Sequence, residues 1–245
     1  MSDADLHFYF DPVCPFAWMT SKWVRIVQRQ RNYSVEWRFI SLRLINAGVD
    51  YDAHFPPEYE AGHTAGLRLL RMAARTGAEH GPDAVGRLYE QLGTRIFEDP
   101  RADESADTRR EQGSRDFAVA ALRAVDLPET LADALEDDAW DAELQASTDT
   151  ALALTGKDVG TPILHFEPAS ETGGVAFFGP VISRLPDEQQ AAELWDHVIG
   201  LASFGGFAEL KRSLRERPQL PGLGVDPDEI GLTEDWHGGS RRLKK

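Results

Sequence analysis

The stretch FDPVCPFAWMTSKW, residues 10–23, sets Cys14, the only cysteine of the chain, between a short aromatic run and an amphipathic segment. LHFYF (6–10) reads as a strand, and Asp11-Pro12 stops it, because this dipeptide favours a turn. From Pro15 onward, Phe16, Met19, Trp23, Ile26 and Val27 fall three or four residues apart, which predicts a helix to about Arg29 with one apolar face. Cys14 therefore stands at a strand-to-helix junction. There, unsatisfied N–H groups and the helix dipole favour a thiolate, so its pKa is expected to fall toward neutrality. Pro15 fits as the first helical residue, where its missing N–H costs nothing.

Working outward, SVEWRFISL (34–42) alternates Val35, Trp37 and Phe39 with polar residues and predicts a second strand. A full helix between two strands implies parallel pairing by crossover. From about Leu44 to Thr155 only helical periods are found, among them Leu67, Leu70, Met72 and Ala74, then Phe117, Ala121, Leu122 and Val125. The charge run 98–116 reads as a loop and a solvated helix start. The last middle helix carries Trp140, Leu144, Ser147, Ala151 and Leu154 at 4-3-4-3 spacing and ends at Gly156.

Strands return with TPILHF (161–166) and GVAFFG (174–179), an expected antiparallel hairpin. A helix over about 186–202 follows, with Leu194, Trp195, Val198 and Leu201 facing inward. Thr161-Pro162 opens the third strand, where a proline is tolerated. After Phe204 the helical period fades by Arg217, the Pro- and Gly-rich stretch to Trp236 is expected to be irregular, and HGGSRRLKK is expected to fray. The order β-α-β, helices, β-β, α is an α/β pattern: a thioredoxin-like fold with a large all-helical insertion. The expected partition is a discontinuous thioredoxin-like domain over 1–45 and 150–205, a helical insertion over 46–149, and an extension over 206–245.

Composition narrows the chemistry. Forty-one acidic against 26 basic residues give a formal charge of −15, which repels phosphate backbones and anionic lipid. Neither nucleic acid nor membrane is an expected partner. The first thirty residues carry no basic n-region or apolar core of a secretory signal, and a single cysteine excludes an internal disulfide, so a cytoplasmic location is expected. Seven histidines show no H-E-x-x-H or tight Cys/His spacing, so no metal site is expected. There is likewise no G-x-G-x-x-G after a strand for a dinucleotide, and no G-x-S-x-G elbow for a hydrolase serine.

FDPVCPFAW resembles the F-D-P-x-C-P-x-C-W segment of DsbA-like thioredoxin-fold proteins, and VGTPILHF (159–166) resembles their cis-proline segment. The mycothiol-dependent nitroreductase group is the nearest likeness. It runs from about Leu6 to Arg215 and also takes in FISLRLIN (39–46), FPPEYEAG (55–62), LYEQLGTRIF (88–97), GVAFFGPV (174–181) and FAELKR (207–212). The resemblance implies that Cys14 attacks a disulfide or oxidised thiol, facing Thr161 and a cis Pro162. Pro15, Phe16 and Ala17 complete the active-site motif. Trp18, Asn46 and Tyr59 would line the substrate site together with Phe16.

The departures are specific. Ala17 stands where the family's second cysteine would be, Phe97 where the nitroreductase group has histidine, and Phe16 where it has tryptophan. A dithiol resolves its own mixed disulfide, whereas this chain needs an external thiol. The expectation is a monothiol oxidoreductase with the motif C-P-F-A. It would hold no bound cofactor and would use a low-molecular-weight thiol such as mycothiol as co-substrate. An oxidised small molecule or protein thiol would be its second substrate, and a homodimer is left open. Two alternatives stand beside it: a kappa glutathione-transferase-like isomerase or transferase, and a catalytically degenerate thioredoxin-fold binding module.

Overall fold

The structure, a computed structural model, describes residues 4–100, 103–156, 159–212, 214–225 and 233–235. Two parallel strands, β1 (Leu6–Phe10) and β2 (Val35–Phe39), are joined by the 17-residue helix α1 (Pro15–Arg31). A helical stretch follows: α2 (Leu42–Ile45), α3 (Tyr51–His54), α4 (Pro57–His80), α5 (Pro82–Phe97), α6 (Ala106–Gln112), α7 (Arg115–Arg123), 3-10 turns over Glu129–Glu136 and Asp138–Trp140, and α8 (Asp141–Thr155). The chain then returns to the sheet as β3 (Ile163–Phe166) and β4 (Val175–Phe178), and crosses it with α9 (Glu188–Ala202). A separate two-stranded ribbon pairs β5 (Leu214–Glu216) with β6 (Thr233–Asp235), with a 3-10 turn at Pro221–Leu223 between them.

The main sheet has the order β2-β1-β3-β4, with β3 antiparallel to both β1 and β4. This is the thioredoxin-like arrangement, with the helices between β2 and β3 as the insertion. β1 is buried throughout because it lies inside the sheet with helices on both faces. Alternation sends Leu6, Phe8 and Phe10 into the main core with Leu164 and Phe166. Tyr9 goes to the opposite face with Ile40, Ile163 and Ala151 of α8. α1 and α9 pack on each other through Trp23 and Trp195, whose ring centroids lie 5.3 Å apart, and the Trp23 indole N–H donates to the Ala191 carbonyl at 2.9 Å.

Several expectations are revised. The second strand stops at Phe39 because Ser41 caps α2, its hydroxyl accepting from the Leu44 N–H at 3.4 Å. α9 begins at Glu188 behind an Asp187–Gln190 capping box, and Leu201 is exposed while Trp195 takes the inward role. The boundary drawn at residue 150 falls inside α8, a continuous helix that touches β2, β4, α2 and α4. Residues 204–212 hold no helix.

The stretch expected to be irregular after Arg217 is docked. Leu220, Leu223 and Val225 join the main core, and the Gln219 N–H donates to the Ser183 carbonyl at 2.7 Å. Apolar burial holds this segment against the end of α5, and it carries the 3-10 turn at Pro221–Leu223 and the strand β6 rather than being irregular throughout. The frayed end expected for HGGSRRLKK lies outside the described residues.

Candidate functional site

The end of β1, the start of α1 and the start of β3 meet at Cys14. The Asp11-Pro12 turn closes with the Cys14 N–H donating to the Asp11 carbonyl at 3.1 Å, which leaves Cys14 as the N-cap of α1 with Pro15 as its first residue. Its extended backbone aims Sγ over the first turn, where the Ala17 N–H donates to sulfur at 3.4 Å. Sulfur thus fills the place that a serine or aspartate oxygen takes in common N-caps.

Across from it the Thr161-Pro162 bond is cis. The Thr161 carbonyl accepts from the Cys14 S–H at 3.4 Å, while the Thr161 hydroxyl donates back to the Tyr9 carbonyl at 3.0 Å. The backbone of Thr161, rather than its side chain, therefore meets the thiol. A second cis bond, Gly179-Pro180, follows β4, and the Pro180 carbonyl accepts from the Thr20 hydroxyl of α1 at 2.7 Å.

Electrostatics at this site overturns the expectation of an acidic thiol. Cys14 is only 8% exposed and lies in an apolar shell of Phe16, Ala17, Leu42 and Val181. Burial disfavours the charged form and outweighs the Ala17 and Phe16 N–H groups that favour it, and the Asp11 charge adds to the burial. The thiol is pushed up to about 12. The helix start is where the sequence places it, but the burial of the thiol outweighs it.

Asp11 is the group that the sequence reading passed over. It is fully buried, and its two carboxylate oxygens accept from the Val13 N–H at 3.1 Å and the Leu42 N–H at 2.8 Å. Burial nevertheless pushes it up to about 7. α4 crosses directly above, at Gly66, where a Cβ would lie 2.6 Å from Asp11 Oδ1 and 2.8 Å from Val13 Cγ2. Only a glycine lets the helix backbone come this close.

The remaining site candidates separate. Pro15, Phe16 and Ala17 stand around the thiol. Trp18 turns the other way: it is 2% exposed, packs between Tyr89 and Phe97, and donates from its indole N–H to Glu98 Oε1 at 2.8 Å. A Cβ at Gly93 would lie 2.1 Å from this indole. Trp18 is thus corrected from a substrate-lining residue to a core residue. Asn46 ends α2, with its side-chain amide on the Leu42 carbonyl at 2.8 Å. Tyr59, 42% exposed, stacks on Phe55 with ring centroids 5.4 Å apart and meets His63 edge-on.

Leu42 and Val181 complete the shell and were not singled out from sequence, although both lie in stretches, FISLRLIN and GVAFFGPV, that carry the family likeness. Among the described residues a cavity of about 250 Å³ lies at the other end of the sheet, between Tyr33, Phe166 and Ile199. No helix among the described residues is long and apolar enough to cross a membrane.

Known proteins resemble this chain in sequence and in fold. The uncharacterized protein Rv2286c of Mycobacterium tuberculosis is 30% identical over 211 residues, which cover 84% of this chain and 80% of that protein. Among solved structures, one from Nitrosomonas europaea, provisionally described as a protein disulfide isomerase, is similar with a TM-score of 0.50 at 10% identity, covering 80% of this chain and 99% of that one. The cytosolic disulfide reductase DsbM from Pseudomonas aeruginosa, solved with GSH, has a TM-score of 0.49 at 12% identity over 80% of this chain and 99% of its own. The family model described as "Rv2466c-like: Mycothiol-dependent nitroreductase Rv2466c" matches residues 13–212. The chain belongs to this Rv2466c-like family of mycothiol-dependent nitroreductases.

Proposed function

We propose that the protein is a monothiol oxidoreductase in which Cys14 exchanges disulfides with a low-molecular-weight thiol, mycothiol by family. Thiol-dependent redox chemistry follows from the family, and one observation carries the finer reading: Cys14 Sγ caps α1 opposite the Thr161 carbonyl, with Ala17 at the adjoining position. The Cys14 thiolate attacks one sulfur of an oxidised thiol. A new S–S bond forms to Cys14 and the other half leaves as a thiolate that takes a proton. A second small thiol then attacks the mixed disulfide and restores Cys14, because no neighbouring sulfur can do so. The partners are the small thiol and an oxidised small-molecule or protein thiol, and the setting is cytoplasmic.

In this reading Thr161 and Pro162 present backbone to the incoming disulfide, and Pro15, Phe16 and Ala17 shape the first turn. Asn46 and Tyr59 lie on the helical side as candidate contacts for the remainder of the substrate. The test is mass spectrometry of the intact protein after incubation with oxidised mycothiol. The expected result is one mycothiol adduct on Cys14, released by added mycothiol and absent in Cys14→Ser. No adduct with any oxidised small thiol would defeat the proposal.

The burial of Cys14 favours a second reading, a kappa glutathione-transferase-like isomerase or transferase that binds a thiol without covalent exchange. There, Cys14→Ser retains activity. The degenerate binding module would show neither adduct nor turnover.

A further inference from the structure

We infer that Asp11 and Cys14 form one coupled ionising pair, in which Asp11 is a positioning residue whose charge decides when Cys14 can become a thiolate. The two side chains belong to a single turn, three residues apart, and both are shut away from water. The Asp11 charge raises the Cys14 thiol further, since both groups are buried and among the described residues no cation pairs with the carboxylate. The turn therefore holds one negative charge more easily than two.

Other titratable groups around Asp11 do not supply this charge. Tyr89 of α5 feels both Asp11 and Cys14, and Tyr51 of α3 feels Asp11, but burial pushes both phenols up, above their ordinary range. On α4, whose Gly66 covers the carboxylate, His63 is pushed down to about 4 by burial and by Arg43, and its Nδ1 is 2.9 Å from the Tyr51 hydroxyl. Arg43, next to Leu42 on α2, is engaged with the Tyr51 ring at 4.8 Å and with Glu60 at 3.6 Å. Near neutrality the pair is left with two arrangements of equal proton count: Asp11 carboxylate with Cys14 thiol, and Asp11 carboxylic acid with Cys14 thiolate. Reaction through the second leaves the proton on Asp11, from which the departing thiolate can recover it. The full cycle consumes no proton at this turn.

The inference concerns how Cys14 ionises and holds for any disulfide it exchanges with, so it stands or falls apart from the mycothiol reading. The test is the rate of alkylation of Cys14 in the full-length wild-type protein by iodoacetamide between pH 5 and 11. Because the two arrangements carry the same number of protons, the logarithm of the rate climbs with unit slope to about pH 7. It then stays level for at least about one pH unit and climbs again. A single unit-slope rise through pH 7 would overturn the inference. In Asp11→Asn the step disappears and the rate above neutrality rises, whereas a folded variant that keeps the step would equally overturn it. Wild type alone suffices should the variant fail to fold.

Discussion

The Ala17 backbone N–H donates to Cys14 Sγ at 3.4 Å, so the position that the family pattern gives to a second thiol here contributes only its amide. The side chain of Ala17 is fully buried beside the thiol. This relationship holds the Cys14 sulfur in place, and under the proposed function an outside thiol resolves its mixed disulfide.

Ala17→Cys is expected to complete a dithiol. Mixed disulfides with small thiols should then fail to accumulate, because Cys14 would be released by its new neighbour. Thiol counting before and after oxidation, alongside intact mass, checks this: two thiols lost per chain without added mass is the expected outcome, and a persistent small-thiol adduct contradicts it.

Val181→Ala opens the apolar shell above Cys14. Since burial is the leading cause of the raised thiol pKa, admitting water lowers it and speeds alkylation by several-fold at fixed pH. An unchanged iodoacetamide rate would show that Val181 is not what excludes water.

Stability should carry the mark of Asp11. Its pKa is raised from 3.8 to about 7 in the folded protein, so the folded state holds this proton more tightly than the unfolded one. The resulting stabilisation is complete below pH 3.8 and is lost as pH rises through about 7, on the order of 4 kcal/mol over the window. Urea unfolding of wild type and Asp11→Asn at several pH values isolates this part: wild type should lose stability relative to the variant between pH 4 and 7, and parallel curves would contradict it.

Gly93→Ala forces a methyl into the Trp18 indole and is expected to cost about 1–3 kcal/mol by overpacking. Trp18→Phe also loses the bond to Glu98 but leaves more room, so the double variant should be less damaging than the sum of the two. Denaturant midpoints of the three variants check this. Additive losses would show that the two positions are independent.

Leu220→Ala removes a fully buried side chain from the segment docked at the end of α5, with an expected loss of about 2–5 kcal/mol. An unchanged thermal midpoint would mean that 218–225 is not part of the folding unit.

The strand-turn-helix around Cys14 was legible because each step has a local cause: aromatic alternation in LHFYF, the break at Asp11-Pro12, the proline at the first helical position, and the three-to-four spacing to Val27. β1 and the start of α1 fall where these signals put them. The hairpin of β3 and β4 likewise follows from two short apolar runs with turn residues between them.

Residues whose roles depend on chain-distant neighbours were not legible in that way. Trp18 reads as a candidate beside the cysteine, yet its direction is set by Gly93, 75 positions away. Leu220 and Leu223 sit in a Pro- and Gly-rich stretch without period, and only the surface offered by α5 makes them core.

By itself the sequence determined that one thiol would cap a helix behind a strand in a thioredoxin-like fold, without a second cysteine to resolve it, since these depend on residue identity and short-range geometry. The tertiary structure alone decided the ionisation of that thiol. Leu42, Gly66 and Val181, brought in from three separate parts of the chain, exclude water from Asp11 and Cys14, and this desolvation outweighs the pull of the helix start.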